Sequence, residues 1–393
     1  MQLIGLQLWL PTFFVILFCF CYVFAFHSPT AHNVPVAVVG NGQTTSALAA
    51  GLETQFKGAL DVSSMSSLAA AKEDVRSGEL AAAYVPGTST ATLYVASAAQ
   101  YQLATLAKSY FTPVAAAQKV TLNVSDVAPL PASDSFGTSL FYMTLVLMIS
   151  GYMVAMFVGM MGAGLRHRVR LGILTGMSIF LPLLSTLIVR FVLHVVDAHF
   201  FELWAIGAFT AFTVGLVVNG IAYFAGRFVA AFALAFFVFA NVPASGGAFP
   251  PELMPEPFRF LHDYVSGTGT IDLLRNAVYG VGPGAWAGAR ILLGYLIAGV
   301  ILTVIGAKYA KWVQNRRVQR GTPPSMLVMA QRAATALAAA NYAAAVEKRD
   351  ANTSSIQVIG ERNRADEEEA KASEFSTDES DADATAAVTG AEV

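Results

Sequence analysis

Apolar residues in this chain come in long unbroken blocks, not in the strict alternation of exposed strands. Four blocks, 137–161, 171–189, 203–226 and 228–249, carry no charged side chain, and each is about one bilayer long. A fifth, 286–307, is broken only by Arg290. Residues 1–26 are also free of charge, and 8–26 is long enough to cross a hydrocarbon core of about 30 Å. This stretch lacks the basic start and small-residue cleavage pattern of a signal peptide, so it reads as an uncleaved anchor. The pattern predicts six spans. Arg227 alone separates the fourth from the fifth, which requires a tight turn there.

Between the first and second spans the pattern changes. Residues 27–136 alternate short apolar runs at 34–39, 80–85, 93–96 and 120–124 with helix-like stretches at 44–57 and 66–77. The second stretch has Ser66 as its expected N-cap and stops at Gly78. A further helix over 98–118 should kink or break at Pro113. Strands alternating with helices predict a small α/β domain. The fold class expected is therefore a membrane α-helical protein: six transmembrane helices with a small extracytoplasmic α/β domain inserted between the first and second.

A second interruption, residues 241–280, falls between the last two spans. It has five prolines between Pro243 and Pro257, yet it keeps Phe249, Leu253, Met254, Phe258, Phe260 and Leu261. An exposed loop would not keep those apolar residues, and a span would not keep the prolines. Ser245, Gly246, Gly247, Pro250, Pro251 and Pro255 should turn the chain at the headgroup level. Short helices over 257–265 and 270–278 should then lie at the interface on Phe258, Phe260, Leu261, Leu273 and Leu274. The expectation is an external re-entrant cap over 244–285, either a lid that seals helix ends or an outer gate over an exit path.

Composition agrees with a membrane chain. Of 393 residues, 55% are hydrophobic and 13% charged, against about 25% charged in soluble domains. No basic patch with interleaved aromatics is present, which argues against nucleic acid as a partner. Cys19 and Cys21 lie two apart in the first apolar block and point to different helix faces, which predicts no disulfide. Charge placement sets orientation. The loop 162–170 has three arginines, 308–332 has six basic residues and no acid, and 197–202 has two acids and no Lys or Arg. Both termini are then cytoplasmic, with 27–136, 197–202 and 244–285 outside. Five regions are expected: an anchor at 1–26, the α/β domain at 27–136 and a five-helix membrane domain at 137–312. A basic then alanine-rich cytoplasmic segment follows at 313–350, with Ser325 capping a helix over 326–346. Last comes an acidic tail, 351–393, whose composition is that of disorder.

Nothing in the chain suggests an enzyme. There is no phosphate loop, no HExxH and no GxSxG, so no catalytic, cofactor or metal residues are assigned. His194, Asp197, His199 and Glu202 cluster near the outer end of the third span, where interfacial polar residues are expected rather than metal ligands. Polar residues inside spans are better clues, because leaving them in lipid is costly. These are Arg190, Asn219, Asn241 and Arg290. Arg166, Arg168 and Arg170 in the short basic loop are the candidates for contact with a cytoplasmic partner.

Three stretches carry a resemblance: residues 27–39 (HSPTAHNVPVAVV), 68–87 (LAAAKEDVRSGELAAAYVPG), and 245–255 (SGGAFPPELMP) followed by 270–280 (TIDLLRNAVYG). With the order of one span, an external α/β domain and five more spans, the chain resembles type-2 ABC-transporter membrane domains over about 8–312. Within these it is most similar to the YhgE/Pip group of bacterial envelope proteins. The resemblance implies a permease subunit of an exporter in a bacterial cell membrane. It would pair with itself or a related permease, be driven by a separate ATPase, and move an apolar or amphiphilic cargo. The basic loop where an ATPase would dock is only nine residues long. That motivates the alternative, a non-transporting envelope protein whose external domain is a binding or receptor module.

Overall fold

The computed structural model describes residues 11–161, 165–320, 329, 333–334, 336–349, 360–365 and 367–368. Several expectations fall outside these residues: the start of the anchor, 162–164 of the basic loop, Ser325 with the start of its helix, and the tail beyond 368. The chain divides into two units, Met1–Thr322 and Pro323–Val393. In the second, residues 336–349 form an exposed helix within the alanine-rich stretch.

The first unit begins with α1, Pro11–Phe26, which has a π-helical turn at Cys19–Val23 and two free thiols. A five-stranded sheet follows, built from β1 (Val34–Val39), β2 (Leu60–Met65), β3 (Ala82–Val85), β4 (Thr90–Val95) and β5 (Thr121–Asp126). Its order is β2-β1-β3-β4-β5, parallel except for the antiparallel β3–β4 pair. Strand β1 is inner and covered on both faces, so it reads as the continuous apolar run VPVAVV. Val34, Val36 and Val38 face a core made with α2 (Gln43–Gln55) and α4 (Tyr101–Ala117). Val39 and Ala83 face α3 (Leu68–Ser77) through Ala71 and Val75.

Three local expectations change here. The cap of α3 is Ser67, whose Oγ accepts from the Ala70 N–H at 3.3 Å, one residue after Ser66. Gly78 ends the helix in the left-handed region at φ 83°, as its position implies. Pro113 does not interrupt α4, because the turn beyond it is held by buried Val114 and Ala115. Strand β2 was not expected at all: LDVSSM is an edge strand with little to bury.

Among the described residues, four helices are long and apolar enough to cross a membrane: α5 (Ser139–Met161), α6 (His167–Val192), α7 (Phe200–Ala225) and α11 (Ala285–Gln319). Two shorter apolar helices are α1 and α8 (Val229–Ala244). Helix α7 is central, with 67% of its apolar window buried against 22% for α6 and α11. Its neighbours approach closely at glycine: a Cβ on Gly220 would stand 2.5 Å from that of Leu302. Gly226–Phe228 makes the expected tight turn between α7 and α8.

Two boundaries move. The fifth span was expected over 228–249, but its helix stops at Ala244, because Gly246 takes φ +77° and redirects the chain. The last helix runs to Gln319, well past the expected domain edge at 312, because nothing in KYAKWVQNRRVQ breaks a helix.

Candidate functional site

The segment after α8 is where the unit's cores meet. It contains a 3-10 turn at Pro251–Leu253, then α9 (Glu256–His262) and α10 (Ser266–Tyr279). Pro250 and Pro255 are the residues just before the turn and before α9. Leu253 sits in the α2/α4 core of the sheet region, and Val281 in the α3 core. Ile271 and Leu274 pack with α5 and α7, and Phe258 and Met254 pack with α1. The expected pair of interfacial helices is therefore corrected. Helix α10 has Ser266, Gly267, Thr268, Gly269, Thr270 and Ile271 all buried, so it lies inside the bundle. Phe260, expected in the apolar face, is 68% exposed. Glycine explains the difference: a Cβ on Gly269 would stand 2.7 Å from the Gly288 carbonyl oxygen of α11. Side-chain-free crossing lets α10 enter where an ordinary amphipathic helix would stay outside.

Burial of α10 exposes its first N–H groups to an apolar interior, and Val265 has no side chain to cap them. Asn241, fully buried near the end of α8, does so across the fold. Its Oδ1 accepts from Gly267 N–H at 2.8 Å, and its Nδ2 donates to Ser266 Oγ at 2.9 Å. Ser245 closes the end of α8, donating to Val242 O at 2.8 Å and accepting from Gly247 N–H at 3.3 Å. Gly247 lies against Phe141 of α5, where a Cβ would meet Cδ2 at 2.5 Å. His262 donates from Nδ1 to Ala244 O at 2.8 Å, which places its proton on Nδ1.

Arg275 is the tie that the sequence reading missed. Its Nη2 donates to Gly246 O at 3.0 Å and to Gln100 Oε1 of the sheet region at 3.4 Å. Burial lowers its pKa, opposed by Asp272 and Tyr279. Burial raises the carboxyl of Asp272 above its usual range, with Arg275, His262 and Arg290 pulling it back. Burial likewise raises Glu252, whose Oε2 has no hydrogen-bond partner. Tyr279 donates to Asp134 Oδ2 at 3.0 Å. The signal available in sequence was Asp272 and Arg275 three apart in the otherwise uncharged IDLLRNAV.

A second polar cluster lies at the end of the bundle away from the sheet. Arg170 was expected in the loop with Arg166 and Arg168. Helix α6 instead starts at His167, which puts Arg170 on the buried stripe it shares with Leu174, Ser178, Pro182 and Thr186. Only 6% exposed, it donates from Nη2 to Asn219 Oδ1 at 2.9 Å and lies over the Tyr223 ring at 4.3 Å. Its Nε has no partner. Asn219 Nδ2 donates to Thr303 Oγ1 of α11 at 3.3 Å, and His167 Nδ1 is 2.7 Å from Tyr223 Oη. Arg166 and Arg168 are exposed.

The other two expected intramembrane residues are placed differently. Arg190 is in the π-helical turn ending α6, paired with Asp197 at 3.2 Å and with the Ala198 carbonyl, so it clasps the following loop rather than lining a path. Arg290 is exposed and lines a cavity beside α11. Among the described residues, no group of three or more His, Cys, Asp or Glu side chains is placed to hold a metal ion.

These clusters join helices to one another and to the sheet region, and the chemistry they offer is that of latches and seals. No curated protein and no solved structure matches the chain. The family model described as ABC-2 family transporter protein matches residues 2–308, most of the chain. The chain is a membrane protein of the ABC-2 transporter family.

Proposed function

We propose that the chain is the permease subunit of an ATP-driven exporter of the YhgE/Pip type in a bacterial cell membrane. Six helices span, α1, α5, α6, α7, α8 and α11, with residues 27–136 and 244–285 outside and both termini in the cytoplasm. The subunit pairs with itself or a related permease and carries no catalytic centre. ATP is hydrolysed by a separate subunit that docks at Arg166 and Arg168. The cargo is apolar or amphiphilic and leaves past the segment 244–285, which acts as the outer gate.

The observation that supports this reading is the position of α10. A helix whose first two turns are buried among α5, α7 and α11, and whose last residue adjoins the α3 core, couples the spans to the external region. A movement that opens one must displace the other. Copurification of the full-length protein from mild detergent tests the partner: a nucleotide-hydrolysing subunit should be recovered, and its absence ends the ATP-driven reading. Efflux by that complex tests the gate. Gly247→Leu, which drives a side chain into Phe141, should lower efflux several-fold, while removal of residues 361–393 should not. Equal, negligible effects would remove the gate.

A further inference from the structure

A cavity of about 520 Å³ opens between α8 and α11 with α7 as its floor. This is within the size range of sites that hold an organic ligand, about 300–1,000 Å³. Its walls are Val217 and Ile221 of α7, Phe236 of α8, and Ile291, Tyr295 and Ala298 of α11. The rim is different: Asp263 and Tyr264, at the corner between α9 and α10, and Arg290 of α11. Asp263 and Arg290 are exposed, and neither side chain makes an ion pair or hydrogen bond with a described residue, while Arg290 lies within electrostatic reach of the Asp272 carboxyl. Trp286, one turn before Arg290, is 71% exposed and Tyr264 63%, the arrangement of aromatics at the headgroup level. An apolar slot therefore runs below a rim that presents one exposed cation and one exposed anion at headgroup depth.

We propose that this slot binds a phospholipid with a zwitterionic aminoalkyl phosphate headgroup. The acyl chain lies along Val217, Ile221, Phe236 and Tyr295, the phosphate takes Arg290, and the ammonium takes Asp263. A neutral apolar molecule would leave both charges bare, and a purely anionic headgroup would meet the Asp263 carboxylate. Arg290 matches phosphate as a planar multiple donor. The occupant touches the gate directly through Asp263 and Tyr264, which precede α10. The inference rests on the membrane location, and only the occupant's role as cargo or gate ligand rests on the exporter reading.

The test uses the full chain, stripped of lipid in detergent and offered three phospholipids of identical chains with ethanolamine, choline or glycerol headgroups. Retained lipid is counted by native mass spectrometry. One ethanolamine lipid per chain is expected, at least ten-fold preferred over the glycerol lipid. Arg290→Gln should lower retention of all three lipids several-fold, because each carries the phosphate, and Asp263→Asn should erase the preference over the glycerol lipid. Gly294 has open space where a side chain would project, so Gly294→Phe should fill the slot and lose all three lipids with Tm unchanged. Equal retention of the three headgroups, or full retention in Gly294→Phe, overturns the proposal. No ATPase enters this assay, so lipid selectivity without a copurifying ATPase keeps the site and ends ATP-driven export; the reverse result does the opposite.

Discussion

Two asparagines hold the two ends of the bundle, and they do it with different completeness. Asn241 at the sheet end uses both ends of its carboxamide on α10, and the groups it meets are satisfied. Asn219 at the far end also uses both, but one goes to a buried arginine that has no carboxylate partner and keeps an unpaired Nε. The first cluster is mainly neutral, and its one fully buried charge, Arg275, has Asp272 close by. The second carries a cation that, among the described residues, is balanced by an amide oxygen and the face of Tyr223. A fully paired buried network holds one geometry firmly, whereas a partly paired one has less to lose on rearranging. The sheet end is built as a seal, and the far end, next to the exposed Arg166 and Arg168, as a latch between α6, α7 and α11.

The largest effect should come from breaking the latch on one side. Asn219→Leu removes the one hydrogen bond that the Arg170 guanidinium makes among the described residues and strands a buried charge, a loss of about 3–5 kcal/mol. The double variant Asn219→Leu with Arg170→Met should recover most of that stability, because replacing both polar partners by apolar groups is often neutral. Thermal unfolding in detergent reads both. If the double variant is as unstable as the single one, the cluster is structural mortar and the latch idea fails. Recovered stability without recovered efflux would sharpen it.

The seal should respond without rescue. Asn241→Leu leaves the Gly267 N–H unpaired in an apolar interior, a loss of about 1–3 kcal/mol. No single compensating change is available, because the orphaned group is backbone. A fall in Tm that a second substitution at Ser266 restores would contradict the role given to Asn241 as the cap of α10.

The contrast also marks what the residues reveal in order and what they hide. Apolar block length found α5, α6, α7 and α11, because spanning a bilayer needs length and little else. Inner strand β1 was legible because burial on both faces leaves no polar position. Edge strand β2 was not, since LDVSSM is defined by its neighbour rather than by its own apolar content. Asn219 and Asn241 were found as polar residues in apolar blocks, and both prove central. Their partners Ser266 and Thr303 were missed for a reason that also hid Arg275 and Tyr223: these residues become significant only when distant segments meet. Arg170 was read as part of a loop because helix α6 starts four residues before the apolar block does. The glycines of α10 were read as turn-formers at an interface, while their use is close helix crossing.

A third test separates charge from packing at the seal. Burial raises the Asp272 carboxyl above the usual carboxylate range. The folded chain therefore holds this proton to higher pH than the unfolded chain does. The stability tied to it is present in full below about pH 4 and is lost as pH rises through the folded value. Asp272→Asn should remove that loss, so the variant's Tm relative to wild type should be higher at pH 7 than at pH 4. A residual slope common to both is expected from Glu252, which is raised in the same direction. A Tm gap of equal size at both pH values would mean that Asp272 acts through packing alone.

The smallest effect should be at Arg190, and it tests whether a charge in an apolar block is enough to matter. Arg190 was grouped with Asn219 and Asn241 on sequence grounds, yet its partner Asp197 is fully exposed and the pair closes a loop seven residues away. Exposed pairs of this kind contribute little because water and salt already screen both charges. Arg190→Gln should leave Tm and efflux within error of wild type, at low and at high salt. Burial, not residue type, is then what divides the polar residues of this bundle into those that hold it and those that decorate its ends. A loss of efflux in Arg190→Gln comparable to that of Asn219→Leu would defeat this division and return Arg190 to the transport path.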